Sequence, residues 1–215
     1  MNNSMCISNF KKNGLLIAPV VIMLTVYLVL SAMVERFGMS GLFYGYIFYW
    51  VFWCIIFPLW TVGWEGFEKM FAAPGKPIAK FDWLLLALPV VIYAGFRLPE
   101  VWPQITLTLV LLSVPVSLVN GTLEELLWRG TYITVFPENR FLGFLFPSVA
   151  FGLWHAAPYA AVFGFDAALI AGVVGGGFFG FCWGWVAWKT GSIRLVVLSH
   201  VLANFVSIAA LNFLG

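Results

Sequence analysis

Between Asn13 and Val34 the chain carries no charged residue, and between Phe37 and Trp64 again none. As helices at 1.5 Å per residue, such runs reach about 30 Å or more, the thickness of a bilayer's hydrocarbon core. Inside lipid every backbone polar group must be satisfied within the segment, so a single run of this kind crosses as an α-helix. Further uncharged stretches follow. Trp83–Phe96 is shorter, with Asp82 and Arg97 placed to reach the interfaces, and Val101–Leu123 runs into a polar cluster and on to Phe136. Phe141–Phe165, Ala167–Trp188 and Leu195–Gly215 complete the set. The pattern predicts an all-α, polytopic transmembrane helix bundle of about seven spans.

Composition closes the alternatives. Only 9% of residues are charged while 62% are hydrophobic, and a soluble domain of about 25% charge is needed to cover a water-facing surface. Disorder needs the reverse balance. A net charge of +2 leaves no nucleic-acid footprint. Cys6, Cys54 and Cys182 form no CxxC pair and read as buried small hydrophobes, not a disulfide framework or zinc site. The first apolar run exceeds the roughly 7–15 residues of a signal-peptide core and lacks a small-x-small cleavage site, so it reads as a retained span.

Short cytoplasmic loops carry the excess of Lys and Arg. With the N-terminus cytoplasmic, that side holds Lys11, Lys12, Lys69, Lys76, Lys80, Arg140, Lys189 and Arg194, and the other side only Arg36 and Arg97. Splitting the fourth run at Asn120–Gly121 into two crossings erases this bias, so any break near Pro115 or Gly121 is expected to be a kink or partial re-entry. Residues 1–100 form an N-terminal region of three spans with a cytoplasmic interfacial segment near 65–80, where Pro74, Gly75 and Pro77 break a short helix. Residues 101–215 hold the remaining spans. Gly172, Gly175, Gly176, Gly177, Gly180 and Gly184 give the sixth span a small face for close helix packing. Trp and Tyr near span ends fit interfacial belts.

Ionisable residues at membrane depth are costly and mark function by default. Three clusters qualify: Glu124-Glu125 with Arg129, Phe151 with His155, and His200 with Asn204. Glu125 and Arg129, Phe151 and His155, and His200 and Asn204 are each four positions apart, so each pair shares a helix face. Both histidines of the chain fall in these clusters. Counting from the cytoplasmic ends places all three on the cytoplasmic side of the midplane, where they could meet in one layer. A carboxylate, two imidazoles and an amide supply a general base and donors for an oxyanion. Glu125 can pair with Arg129 one turn on, which leaves Glu124, pointing about 100° away, for chemistry. A non-catalytic membrane immunity or binding protein that sequesters a peptide, and a small transporter or proton relay, use the same residue types. The absence of an inverted repeat weighs against the transporter.

EExxxR, then FxxxH, then HxxxN, each on a separate late helix, resembles the CPBP family of intramembrane proteases, which includes type II CAAX prenyl endopeptidases and abortive-infection-like proteins. The resemblance covers roughly Ile105–Leu214. It makes 101–215 a CPBP-like catalytic domain and implies an intramembrane endopeptidase of a membrane-associated protein or peptide, in the plasma membrane of a prokaryote. It implies that Glu124, with His155, polarises the attacking water, and that His200 and Asn204 bind the oxyanion. Glu125, Arg129 and Phe151 support the site. Such proteins have been described both as metalloproteases and as glutamic proteases. Two Glu and two His could ligate zinc, but there is no HExxH, and the metal-free form is the favoured expectation. The expected partners are the substrate and the lipid bilayer, with no nucleic acid. Neither the substrate nor the oligomeric state is encoded in these motifs.

Overall fold

The computed structural model describes residues 7–164 and 167–214, without the side chains of 167–171 and 213–214. Cys6 and Phe165 therefore lie outside the described residues. Among these the chain is helical, with no strand. Five helices are long and apolar enough to cross a membrane: α1 (Asn9–Phe37), α2 (Ser40–Met70), α3 (Lys80–Gln104), α4 (Leu107–Val135) and α5 (Phe141–Phe163). The 24-residue α6 (Ala167–Thr190) and the shorter apolar α7 (Arg194–Val206) follow. The protein is an all-α integral membrane bundle.

The bundle has the outward apolar character that lipid requires. Val20, Leu24 and Leu28 of α1 and Leu107, Leu111 and Leu118 of α4 are exposed, while Leu15, Ile22, Val26 and Leu30 point inward. Cys54 and Cys182 are buried and unbridged. Trp128, Trp154 and Trp183 are also fully enclosed, so a part of the tryptophan complement fills the bundle interior and does not serve as an interfacial belt.

Two features add detail to the sequence pattern. The first part of α4 is one uninterrupted helix, Leu107–Glu125, that passes through Pro115 and Gly121. No break occurs there; instead the hydrogen-bond register widens to a π-helix at Leu126–Thr131, directly after the two glutamates. Asp82, in the first turn of α3, is engaged by other side chains of the bundle. It is fully buried, accepts from the Ala79 amide at 2.7 Å and the Trp185 indole at 3.2 Å, and pairs with Lys189 at 2.5 Å. The carboxylate thus caps α3 and clamps it to α6, since a buried charge is stable only when paired and hydrogen-bonded.

The segment after α2 is held against the α6–α7 turn. At Gly63 the backbone takes φ 69°, ψ 178°, a conformation glycine adopts without steric cost, and this sets Trp64–Met70 at an angle to the rest of α2. Beyond it the Gly75 amide donates to the Thr190 carbonyl, Ser192 Oγ to that of Ala72, the Ile193 amide to that of Met70, and Arg194 Nε to that of Phe71. Replacing Lys189 by methionine leaves the Asp82 carboxylate buried without its ion pair, so thermal unfolding in detergent should show a loss of roughly 3–5 kcal/mol. An unchanged melting temperature would mean that the clamp is idle.

The interior packing positions the polar layer. α5 lies on α6, and α7 is sandwiched between α3 and α4. On α6 the small face meets α5 closely. A methyl group added at Gly180 would lie 2.7 Å from the Ser148 carbonyl oxygen, and one at Gly152 of α5 would lie 2.7 Å from Gly177 Cα.

Candidate active site

The three polar clusters ride on α4, α5 and α7. Glu124 and Glu125 end the regular part of α4, and both are buried. Arg129 lies in the π-helical turn that follows, also buried, with Nη1 2.9 Å from Glu125 Oε1. The spacing expected for that ion pair is realised.

His200 arrives from α7 and lies between the two glutamates. Its Nδ1 is 2.8 Å from Glu125 Oε1 and its Nε2 is 3.6 Å from Glu124 Oε2. A carboxylate oxygen can only accept at 2.8 Å, so Nδ1 carries the proton in that bond. Glu125 Oε1 thereby accepts from both Arg129 and His200. Four ionisable groups form one buried chain: Glu124, His200, Glu125, Arg129.

What brings α7 this close to α4 is Gly121. An added Cβ there would stand 2.9 Å from the Val201 amide nitrogen, 3.0 Å from its Cγ2 and 3.1 Å from its Cα. These neighbours include backbone atoms, so any side chain at 121 must push the helices apart. Gly121→Val is expected to separate both glutamates from His200. Overpacking of this kind costs about 1–3 kcal/mol. The check is thermal unfolding of the purified variant in detergent; a melting temperature equal to the parent's would contradict a tight α4–α7 contact.

His155 occupies a different position. Its Nδ1 is 2.7 Å from the carbonyl oxygen of Phe151, one turn earlier on α5. A carbonyl accepts, so Nδ1 is the protonated nitrogen and Nε2 bears the lone pair in the neutral ring. No ion pair joins His155 to Glu124; among the described residues the imidazole within such reach of Glu124 is that of His200. His155 remains partly accessible, whereas Glu124 and His200 are buried.

Phe151 ties the two halves together. Its ring takes His155 edge-on at 4.7 Å and His200 edge-on at 6.2 Å, and the Arg129 guanidinium lies 4.1 Å from its centroid. That cation–π contact matters because Arg129 Nε and Nη2 are buried with no hydrogen-bond partner. Asn204 sits one turn beyond His200 on α7, and its Nδ2 is likewise buried and without a partner. A buried donor of this kind costs stability unless something accepts from it.

Several residues of the site carry no motif signal. Trp183 stacks on His200 with centroids 4.1 Å apart and planes 17° from parallel. Its indole N–H donates to Ser199 Oγ at 2.8 Å, and Ser199 in turn donates to the Leu86 carbonyl at 2.6 Å, tying the stack to α3. Trp154 lies beside Glu124 as a polar neighbour and stacks at 4.1 Å on Tyr49, whose hydroxyl accepts from the Trp128 indole. In sequence these are aromatics among many, and only their burial next to ionisable groups sets them apart.

Among the described residues, no set of three His, Cys, Asp or Glu side chains is arranged to hold a metal ion. Glu125 Oε1 is engaged by both Arg129 and His200, and His155 Nδ1 by a carbonyl.

Residues 104–206 match the family model described as type II CAAX prenyl endopeptidase Rce1-like. Over this segment, a little under half of the chain, the protein is similar to that family. No curated protein and no solved structure matches the chain. The Rce1-like segment contains all three polar clusters and is the part of the bundle in which α4, α5 and α7 present them to one another. The family is one of membrane peptidases, and the match supports peptidase activity in general.

Proposed function

We propose that this protein is an intramembrane endopeptidase that cuts a membrane-associated protein or peptide by a water activated at Glu124. The observation that carries the reading is the buried chain from Glu124 through His200 and Glu125 to Arg129, at 3.6, 2.8 and 2.9 Å, inside an apolar bundle. Four ionisable groups are expensive at this depth, and a purely structural bundle has no use for the outermost of them. Glu125 and Arg129 neutralise each other. Glu124 has no cation of its own beyond what His200 can supply.

In the proposed reaction the water oxygen bonds to the scissile carbonyl carbon while a water proton passes to the Glu124 carboxylate. The accessible lone pair on His155 Nε2 accepts a hydrogen bond from the same water and orients it. The carbonyl electron pair moves onto oxygen, which accepts from the otherwise unpartnered Asn204 Nδ2 and, when His200 is doubly protonated, from its Nε2–H. Collapse of this tetrahedral species breaks the C–N bond, and the proton held by Glu124 goes to the departing amine. Positioned proton transfer and preorganised oxyanion donors are the two contributions this asks of the protein. No metal participates in these steps. The bundle acts within the lipid bilayer, with the N-terminus on the cytoplasmic side of a prokaryotic plasma membrane.

The reading is tested by comparing the termini of membrane proteins in cells that express the parent protein, Glu124→Ala or His155→Ala. A set of termini present with the parent and missing with both variants is expected. If all three cells show the same termini while the variants are inserted at parental levels, the proposed chemistry is wrong.

A further inference from the structure

The glycine-rich face of α6 does more than let two helices approach. Along this helix Gly172, Gly176 and Gly180 recur at one-turn spacing, and each faces a different feature of α5. An added Cβ at Gly172 would meet the Tyr159 ring at Cε2 (2.6 Å), and one at Gly180 would meet the Ser148 carbonyl at 2.7 Å and Phe151 Cδ1 at 3.3 Å. Between them, a Cβ at Gly176 would lie 2.5 Å from His155 Nδ1, 2.8 Å from Cε1 and 2.9 Å from Cγ. Its three nearest atoms all belong to one imidazole ring. The flanking glycines behave differently: nothing lies within 4 Å of a Cβ at Gly175, and Gly177 meets only Gly152 Cα at 3.8 Å.

The His155 ring is therefore held from two directions. Phe151 supplies an acceptor for Nδ1–H at 2.7 Å and an aromatic edge at 4.7 Å. The bare backbone of Gly176 supplies a wall against the same nitrogen. A methyl group at 176 cannot coexist with Nδ1 at its present position, so the ring must swing away from the Phe151 carbonyl. The bond that puts the proton on Nδ1 and leaves the lone pair on Nε2 would then be lost. The three nearest obstructing atoms belong to the imidazole, so the clash falls first on the ring.

We propose that Gly176 is a positioning residue for His155: its missing side chain seats the imidazole against Phe151 and so fixes which ring nitrogen is basic. The inference deepens the endopeptidase reading and rests on it only for its catalytic meaning, since the seat itself is a structural property. The two histidines of the chain make it directly measurable.

The experiment is nitrogen NMR of the detergent-solubilised protein labelled with 15N-histidine, with His155→Ala used to assign the His155 ring. The parent protein should show His155 as the Nδ1–H tautomer. Gly176→Ala should shift the His155 ring signals and leave those of His200 in place, while Gly175→Ala and Gly177→Ala move neither. A companion measurement covers the case in which Gly176→Ala folds poorly: its fall in melting temperature should vanish in a His155→Ala background, where no ring is left to displace. An unmoved His155 spectrum in Gly176→Ala would overturn the proposal, as would an equal response to Gly175→Ala or an equal melting loss with and without the His155 ring. If the ring signals move as expected and cleavage is unchanged, the seat stands and the catalytic role of His155 falls.

Discussion

Glu124→Gln should lower peptide-bond cleavage by about 10²- to 10⁴-fold, the range that a positioned general base contributes, and should leave the bundle folded. Glutamine keeps the volume of the side chain and a carbonyl oxygen toward His200 and Trp154, but it cannot take a proton from water. Glu124 has its one imidazole contact at 3.6 Å, so little binding energy between helices is lost with its charge. The adjacent position provides the contrast. Glu125 accepts from Arg129 at 2.9 Å and His200 at 2.8 Å, and Glu125→Gln should lower the melting temperature as well as activity. The comparison needs cleavage of a substrate found by terminal proteomics, measured beside thermal unfolding of both variants. Two neighbouring variants with the same profile, both merely unstable or both active, would contradict the division of labour between the glutamates.

A large loss of stability is expected from Arg129→Leu. Leucine fits an apolar interior, yet it leaves Glu125 fully buried and without its cation. Breaking a buried ion pair from one side costs roughly 3–5 kcal/mol, because the remaining charge has lost its compensation. The Phe151 ring loses its guanidinium partner at 4.1 Å in the same step. Arg129→Lys should be intermediate: an ammonium restores the charge but neither the planar fork nor the stack. A double variant carrying Glu125→Gln with Arg129→Leu should lose less than the sum of the single losses, since the uncompensated charge is gone. Thermal unfolding of the parent, the three single variants and the double variant in one detergent decides the matter. Additive losses would show that the pair is not coupled, and a parental melting temperature for Arg129→Leu would remove the ion pair from any account of stability.

How much of this was legible beforehand follows from what a single helix can encode. The uncharged runs yield the all-α bundle, and the i to i+4 spacings place Glu125 with Arg129 and Phe151 with His155, because those relations are internal to one helix. Contacts between helices are not. His200 bridging both glutamates depends on the depth and rotation of α7 against α4, and that register is decided where Gly121 meets Val201. The Trp183 stack and the Asp82 clamp to Lys189 were equally hidden, since each joins elements remote in the chain.

Reading the residues alone was enough to put this protein in a membrane and to find ionisable residues in three places on three late helices. That follows from solvation: few charges survive in lipid, so each survivor stands out. Which of those residues meet depends on how the helices pack. Glu124, Glu125, Arg129 and His200 form one chain, while His155 is turned to the Phe151 carbonyl and seated on Gly176. An apolar helix face states which side must be covered but not by what. In a bundle with no water to exclude, steric fit at glycines sets the final alignment.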